Sequence, residues 1–218
     1  MSLRVALEVA ERKAFASALD WPGWSRGAKT PDEALQSLLD YADRYAAVAR
    51  RARVAFSPPG TVRGIEVVER LSGGGGTEFG VPSVAAASED EPLGSRDLKR
   101  LVGLLESAWA TFDAAADKAR GVKLRLGPRG GGRQVPKMVD HVREAEAAYV
   151  HQLGTKVDER GMAELRRDFV ETLTARAEAR DLTRPNKVKR PWGLRYAVRR
   201  SAWHALDHAW EIEDRSPR

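Results

Sequence analysis

The sequence predicts an α+β protein in which a small mixed unit precedes a bundle of four helices. The first 85 residues contain short apolar segments interrupted by Pro and Gly, a pattern typical of strands and turns. After residue 94, apolar side chains recur every three or four positions over four long segments, which indicates amphipathic helices. The chain is 42% hydrophobic and 31% charged over 218 residues, so it can bury a core. We therefore predict one domain at 1–85 and a second at 94–215.

The first unit is predicted to contain three strands and one helix. Thr30 is a suitable N-cap for the helix, Pro31 fits its first turn, and Glu33 completes a capping box. Apolar side chains then continue at helical spacing to Val48, so we expect one uninterrupted helix. The segments predicted as strands, which are short or alternate in polarity, are 4–9, 14–19 and 62–71.

The second unit is predicted to consist of four amphipathic helices separated by moderate loops, the pattern of a helix bundle. Residues 82–94 contain two prolines and three consecutive acidic residues, and we interpret them as a linker between the two units. The helices are predicted at 95–119, 136–153, 159–179 and 193–214.

The connection between the first two of these helices is rich in glycine and arginine. Residues 127–133 (GPRGGGR) invite comparison with a phosphate-binding loop, but that motif places Gly-Lys-Ser/Thr at the start of a helix after a buried strand. Here Gln134 follows Arg133, so we predict a flexible loop between helices. Arg129 and Arg133 could still lie at the rim of a site on the bundle.

Composition restricts the classes of function. The absence of Cys excludes disulfides, thiolate zinc sites and cysteine nucleophiles. The chain carries 37 basic and 31 acidic residues, of which 26 and 21 lie in residues 89–218. Arg195, Arg199 and Arg200 are interleaved with apolar residues on a predicted helix, which favours a solvated face over a nucleic-acid surface. No apolar run is long enough to span a membrane, so we expect a cytoplasmic protein with neither membrane nor nucleic-acid partners.

Three of the four histidines occupy positions that suit metal ligands. His204 and His208 are four residues apart on the last predicted helix and therefore project from one face. His141 lies on the second helix of the bundle, beside its apolar positions. Three imidazoles from two helices would leave coordination positions open, and they suit zinc, nickel or iron(II). The alternative is that these are ordinary core or surface histidines, and His151, about 80° around the helix from His141, is interpreted as a surface histidine.

Charged side chains near these histidines have two interpretations each. Glu144, one turn after His141, could orient a ligand or act as an acid or base, or it could be solvent-exposed or ion-paired. Asp207, inside the HxxxH segment, and Glu211, three residues after it, have the same alternatives. Arg200, one turn before that spacing, could hold a substrate carboxylate or form a surface ion pair.

Residues 139–149 (VDHVREAEAAY) and 199–215 (RRSAWHALDHAWEIEDR) resemble the DinB/YfiT-like superfamily of four-helix metal-binding proteins. The resemblance covers residues 95–215. In that superfamily one His on the second helix and an HxxxH pair on the fourth form a metal triad, and characterised relatives include transferases and isomerases that use low-molecular-weight thiols. The ligands that the resemblance implies for a divalent ion are His141, His204 and His208.

Residues 15–23 (FASALDWPG) and 27–35 (GAKTPDEAL) resemble the strand–turn–helix of HicB-like domains, and this resemblance covers residues 4–50. In antitoxins such a domain is joined to a DNA-binding tail of helix-turn-helix or ribbon-helix-helix type. Nothing in this sequence matches either tail, so the resemblance implies a fold rather than an antitoxin activity.

The sequence supports two hypotheses of function. The first is a metal-dependent enzyme, a transferase or hydrolase that uses a small thiol, in which the ion acts as a Lewis acid on bound water or thiol. Its catalytic acid or base would be Glu144, and Arg200 would bind the small-molecule substrate. The second is a non-catalytic binding or regulatory module, in which the HicB-like part contacts a protein partner and the metal is structural or vestigial. Under either hypothesis the protein could form a homodimer.

Overall fold

A four-stranded sheet packs against a layer of helices. The computed structural model describes residues 2–127 and 132–217. Its strands are β1 (Leu3–Val9), β2 (Ala14–Ala18), β3 (Ser25–Ala28) and β4 (Ile65–Ser72). They lie in the order β3-β2-β1-β4, with β1 antiparallel to β2 and parallel to β4. The predicted α+β class is therefore confirmed, and β3 is a strand that the sequence pattern did not indicate.

The predicted capping box is present, but the helix that it begins is shorter than expected. The Glu33 amide donates to the Thr30 hydroxyl at 3.3 Å, and the Thr30 amide donates to the Glu33 carboxylate at 3.2 Å. The expectation of one uninterrupted helix is wrong, because the helix breaks at Tyr41, which has φ −96° and ψ 4°. At this break the Tyr41 ring packs 5.1 Å from the ring of Trp210. The helices of this region are α1 (Pro31–Asp40), α2 (Ala42–Arg51) and the short α3 (Gly75–Phe79).

The four long helices that the sequence predicts are present within a few residues of their expected bounds. They are α4 (Ser95–Lys118), α5 (Val135–Gln152), α6 (Met162–Ala177) and α7 (Leu194–Arg215). Helix α7 packs along α4 and also contacts α5 and α6, while α5 packs on α6. An aromatic pair, Trp109 and Phe169, joins α4 and α6 at a ring separation of 5.7 Å.

The sheet packs on α7 through both apolar and polar contacts. Phe15 of β2 meets Trp203 of α7 edge to face at 6.2 Å, and the buried apolar residues of both predicted units form one contiguous cluster. The turn before β3 approaches α7 so closely that a β-carbon at Gly23 would lie 2.8 Å from a methyl group of Leu206. Gly23 also has φ +92°, so glycine is favoured there for two independent reasons. Helix α7 is thus held between the sheet and the other helices.

The segment 82–94, which we interpret as a linker, contacts α7 through a buried ion pair. Glu89 is only 4% exposed and accepts two hydrogen bonds from Arg199 of α7, at 2.6 and 2.9 Å. Arg199 is 2% exposed and also donates to the carbonyl of Val84 at 2.9 Å. The prediction of a solvated face is therefore wrong for Arg199, because a carboxylate more than 100 positions away in sequence neutralises its charge inside the protein.

No helix within residues 2–127 and 132–217 is both long enough and apolar enough to cross a membrane.

Candidate metal centre

Three histidines from two helices converge beside the core. His141 comes from α5, and His204 and His208 come from successive turns of α7. One ring nitrogen of each lies within 4.8 Å of the corresponding atom in the other two. The ring centroids are 4.7 Å apart for the α7 pair and 5.0 and 5.1 Å apart for the pairs that include His141. The tertiary structure therefore brings together the three side chains that the sequence singles out.

The geometry indicates which nitrogen atoms face the common centre. The Nε2 atoms of His141 and His204 are 3.2 Å apart, close to the roughly 3.4 Å that separates two nitrogens on one tetrahedral ion. His208 uses Nδ1 to contact a carboxylate oxygen of Glu211 at 2.9 Å, which leaves its Nε2 available. Three neutral imidazoles with one nitrogen each near a common point form a donor set suited to zinc, nickel or iron(II).

The carboxylate of Glu211 lies behind the histidines. Besides contacting His208, it accepts a hydrogen bond from Arg215 at 2.6 Å. A carboxylate in this position fixes the tautomer and the ring orientation of a ligating histidine. By contrast, His204 Nδ1 is buried and has no partner among the described residues, so packing against the rings of Tyr149 and Trp203 positions that imidazole.

Electrostatics keeps two of the histidines in the form that binds metal. Burial lowers the pKa of His204 well below its usual range, and the neighbouring imidazole of His208 lowers it further. The pKa of His141 is also lowered, first by burial and then by His208. Hydrogen bonding to His208 lowers the pKa of the Glu211 carboxyl, and the hydrogen bond from Arg215 acts in the same direction. Neutral imidazoles beside an ionised carboxylate do not require deprotonation before an ion binds near pH 7.

The centre is largely enclosed by protein. His204 is 7% exposed and His208 9% exposed, whereas His141 is half-buried. A cavity of about 720 Å³ lies beside the group, and Glu211 and Arg133 form part of its wall. Solvent-filled space therefore reaches the carboxylate that holds His208.

The predicted catalytic and substrate-binding residues, Glu144 and Arg200, differ in their exposure and contacts. Glu144 is exposed on α5 and forms neither a hydrogen bond nor an ion pair with the described residues. Arg200 is half-buried, and its guanidinium lies over the rings of Tyr149 (5.2 Å) and Trp203 (4.7 Å). One of its nitrogens, Nη1, is buried without a partner, and no carboxylate of the described residues forms an ion pair with it.

Four further positions complete the comparison between the predicted and observed surroundings. Asp207 faces the sheet rather than the histidines, since it accepts a hydrogen bond from Arg26 of β3 at 3.0 Å. Arg133 lines the adjacent cavity. Arg129, which was also predicted to lie at the rim of the site, is outside the described residues. His151 is exposed and contacts Asn186, as expected for a surface histidine.

We expect Glu211→Gln to weaken metal binding by about 10- to 100-fold, because an amide is a poorer partner for His208 than an ionised carboxylate. The measurement is the dissociation constant for zinc, obtained by competition with a chromophoric chelator. Glu213→Gln is the matched control, since Glu213 lies on the same helix but is exposed. Equal losses in the two variants would show that Glu211 does not support His208.

No protein-family model, curated protein or solved structure gives a significant match to this chain. The DinB-like and HicB-like resemblances therefore remain predictions that rest on the sequence motifs.

Proposed function

We propose that the protein binds one divalent transition-metal ion through His141, His204 and His208 and uses it in a reaction on a small molecule. The observation that carries this proposal is the convergence of three imidazole nitrogens within 4.8 Å, with Glu211 placed behind one of them. The reaction class we assign is a group transfer or hydrolysis that involves a small thiol, in line with the DinB-like resemblance.

The donor set is consistent with a catalytic ion rather than a closed structural site. Structural zinc sites use four protein ligands, whereas three histidines leave at least one position for an exchangeable ligand. When bound, an ion at this site would act as a Lewis acid that lowers the pKa of a coordinated water or thiol.

Protein side chains around the triad have proposed roles that do not depend on the identity of the ion. Glu211 orients His208 through Nδ1, and the guanidinium of Arg200, which has no ion-pair partner among the described residues, holds an anionic group of the substrate. Glu144, exposed one turn after His141, is the proposed group that exchanges protons with solvent at its carboxylate.

A non-catalytic module is the second candidate, and one observation favours it. Two of the three histidines are more than nine-tenths buried, and one of them, His204, packs against the rings of Tyr149 and Trp203, as it would around a structural ion. In that case the sheet unit would contact a protein partner, and the metal would stabilise the bundle.

Metal loading tests the proposal directly. Purified protein is incubated with zinc, nickel or iron(II), desalted, and analysed by mass spectrometry for metal per chain. We expect about one equivalent of at least one of these ions. A protein that retains none of the three would overturn the enzymatic proposal and favour a non-catalytic module whose metal site is vestigial.

Cobalt substitution then separates the two candidates. A cobalt(II) ion with an open position changes its visible absorption when a small thiol such as cysteine is added, because the thiolate becomes a ligand. We expect such a change in the wild-type protein. A cobalt spectrum that is insensitive to added thiol would assign a structural role to the ion and overturn the enzymatic proposal.

A further inference from the structure

A second cavity lies between α7 and the edge strand β3 of the sheet, and it shares Arg26 and Asp207 with the cavity beside the metal centre. Its volume is about 350 Å³, at the small end of the range for ligand pockets. Strand β3 forms one wall through Arg26, and α7 forms another through Trp203 and Asp207. Neither a histidine of the triad nor Glu211 lines it, so it is distinct from the candidate metal centre.

Positive charge dominates the wall of this cavity. Lys13, Arg26 and Lys29 line it together with one carboxylate, that of Asp207. Asp207 is already paired with Arg26 at 3.0 Å, whereas neither lysine forms an ion pair within 4.0 Å among the described residues. The hydrogen bond from the Arg12 amide lowers the pKa of the nearby Glu78 carboxyl, to which Lys13 adds a smaller effect, and Glu78 is paired with Arg12 rather than with Lys13. The two lysines therefore leave a surplus of positive charge at the cavity.

The Arg26 side chain is held in place. Its guanidinium lies 3.8 Å from the centroid of the Tyr41 ring and 5.8 Å from that of Trp210. Its Nε atom is buried without a partner in the described residues. A guanidinium fixed by stacking and by an ion pair loses little conformational freedom when an anion binds beside it.

The remaining wall is aromatic and contains unsatisfied donors. Phe15 and Trp203 meet edge to face in the cavity wall, and both are almost completely buried. The indole Nε1 of Trp203 and the hydroxyl of Ser25, another lining residue, are buried and have no partner among the described residues. Neither atom is open to solvent, so a ligand would reach either of them only after a side-chain rearrangement. Unsatisfied buried donors are uncommon in proteins and each one is destabilising.

We propose that this cavity binds a small aromatic carboxylate. The aromatic ring would pack against Phe15 and Trp203, and the carboxylate would face Arg26 and the two lysines. Charge complementarity selects an anion over a neutral or cationic ligand of the same shape. The volume of the cavity selects a ligand with one or two rings over a nucleotide or a polymer. The inference does not depend on metal binding.

Benzoate is the probe that tests the proposal, with benzamide as its neutral analogue and benzylamine as a cationic one. Binding to the full chain is measured by titration calorimetry and by the fluorescence of the tryptophans. We expect benzoate to bind at least about tenfold more tightly than benzamide, and added salt to reduce this preference. Equal affinities, a preference for benzylamine, or no binding of benzoate at concentrations up to about 10 mM would each overturn the proposal.

Charge reversal at the two lysines identifies the site. In the Lys13→Glu/Lys29→Glu variant we expect the affinity for benzoate to fall by at least about tenfold and the affinity for benzamide to change little. The matched control is Lys99→Glu/Lys118→Glu, which reverses two exposed lysines on α4. An equal loss in both double variants would mean that only the net charge matters, and it would exclude this cavity as the site. Circular dichroism confirms that each variant is folded.

A second variant tests whether the ligand occupies this cavity by filling part of its volume. Ala28→Phe adds an aromatic ring at a lining position of the edge strand β3, so we expect it to exclude both benzoate and benzamide. Unchanged binding of benzoate to this variant would place the ligand elsewhere.

Discussion

The His204→Ala/His208→Ala double variant is expected to bind no metal under conditions in which the wild-type protein carries about one ion per chain. The two substitutions leave His141 as the sole member of the triad, and a single imidazole does not hold an ion in competition with water. The measurement is metal content by mass spectrometry after incubation with zinc, nickel and iron(II). A variant that keeps stoichiometric metal would place the ion at a different site.

Two controls separate the loss of ligands from a loss of folding. His151→Ala removes an exposed histidine that lies outside the triad, so its metal content should equal that of the wild-type protein. His141→Ala removes the least buried ligand and so perturbs packing less than the double variant, yet it should also weaken metal binding. Circular dichroism and thermal unfolding without metal show whether each variant is folded. If His141→Ala binds metal as tightly as wild type, the three-histidine site is wrong.

Arg199→Met is expected to destabilise the protein by about 3–5 kcal/mol, because it leaves the buried carboxylate of Glu89 without its partner. The hydrogen bonds from Arg199 to Val84 and Ser17 are lost as well. Urea unfolding at pH 7 measures the change in the free energy of unfolding. A loss of less than about 1 kcal/mol would show that this pair contributes little more than a surface ion pair.

The matched control for this prediction lies one turn earlier on the same helix. Arg195 pairs with Asp97 at 3.0 Å near the surface, so Arg195→Met should cost about 1 kcal/mol or less. The double variant Glu89→Leu/Arg199→Met should recover a large part of the stability lost in Arg199→Met, since it removes both buried charges. Recovery would assign the cost to the uncompensated carboxylate rather than to the missing side-chain volume.

This ion pair also bears on how the two predicted domains are connected. Glu89 belongs to the segment between them, whereas Arg199 belongs to α7, and Ser17 of β2 lies against the same guanidinium. Breaking the pair removes polar contacts from the sheet, the connecting segment and the bundle at once. We therefore expect Arg199→Met to lower the cooperativity of unfolding as well as the stability, which would appear as a smaller urea m-value.

Local sequence patterns were sufficient to predict the four long helices and to single out the candidate metal ligands. The four bundle helices were predictable because the spacing of apolar side chains repeats over 16 to 24 residues, long enough to exclude other structures. The capping box at Thr30 involves residues only three positions apart, so its geometry follows from the backbone alone. His204 and His208 share a face for the same reason, because four residues make about one helical turn.

The remaining features depend on residues far apart in the chain. Strand β3 has only four residues and includes Gly27, so its pairing with β2 rather than its composition makes it a strand. The sequence around Arg199 predicts a surface residue, and only the folded structure brings the carboxylate of Glu89 next to it. The rotamer of Glu211 decides which nitrogen of His208 is available to an ion. The position of Arg26 decides whether Asp207 faces the histidines or the sheet. The cost of burying a charge is offset by a specific partner, and that partner is known only when the chain has folded.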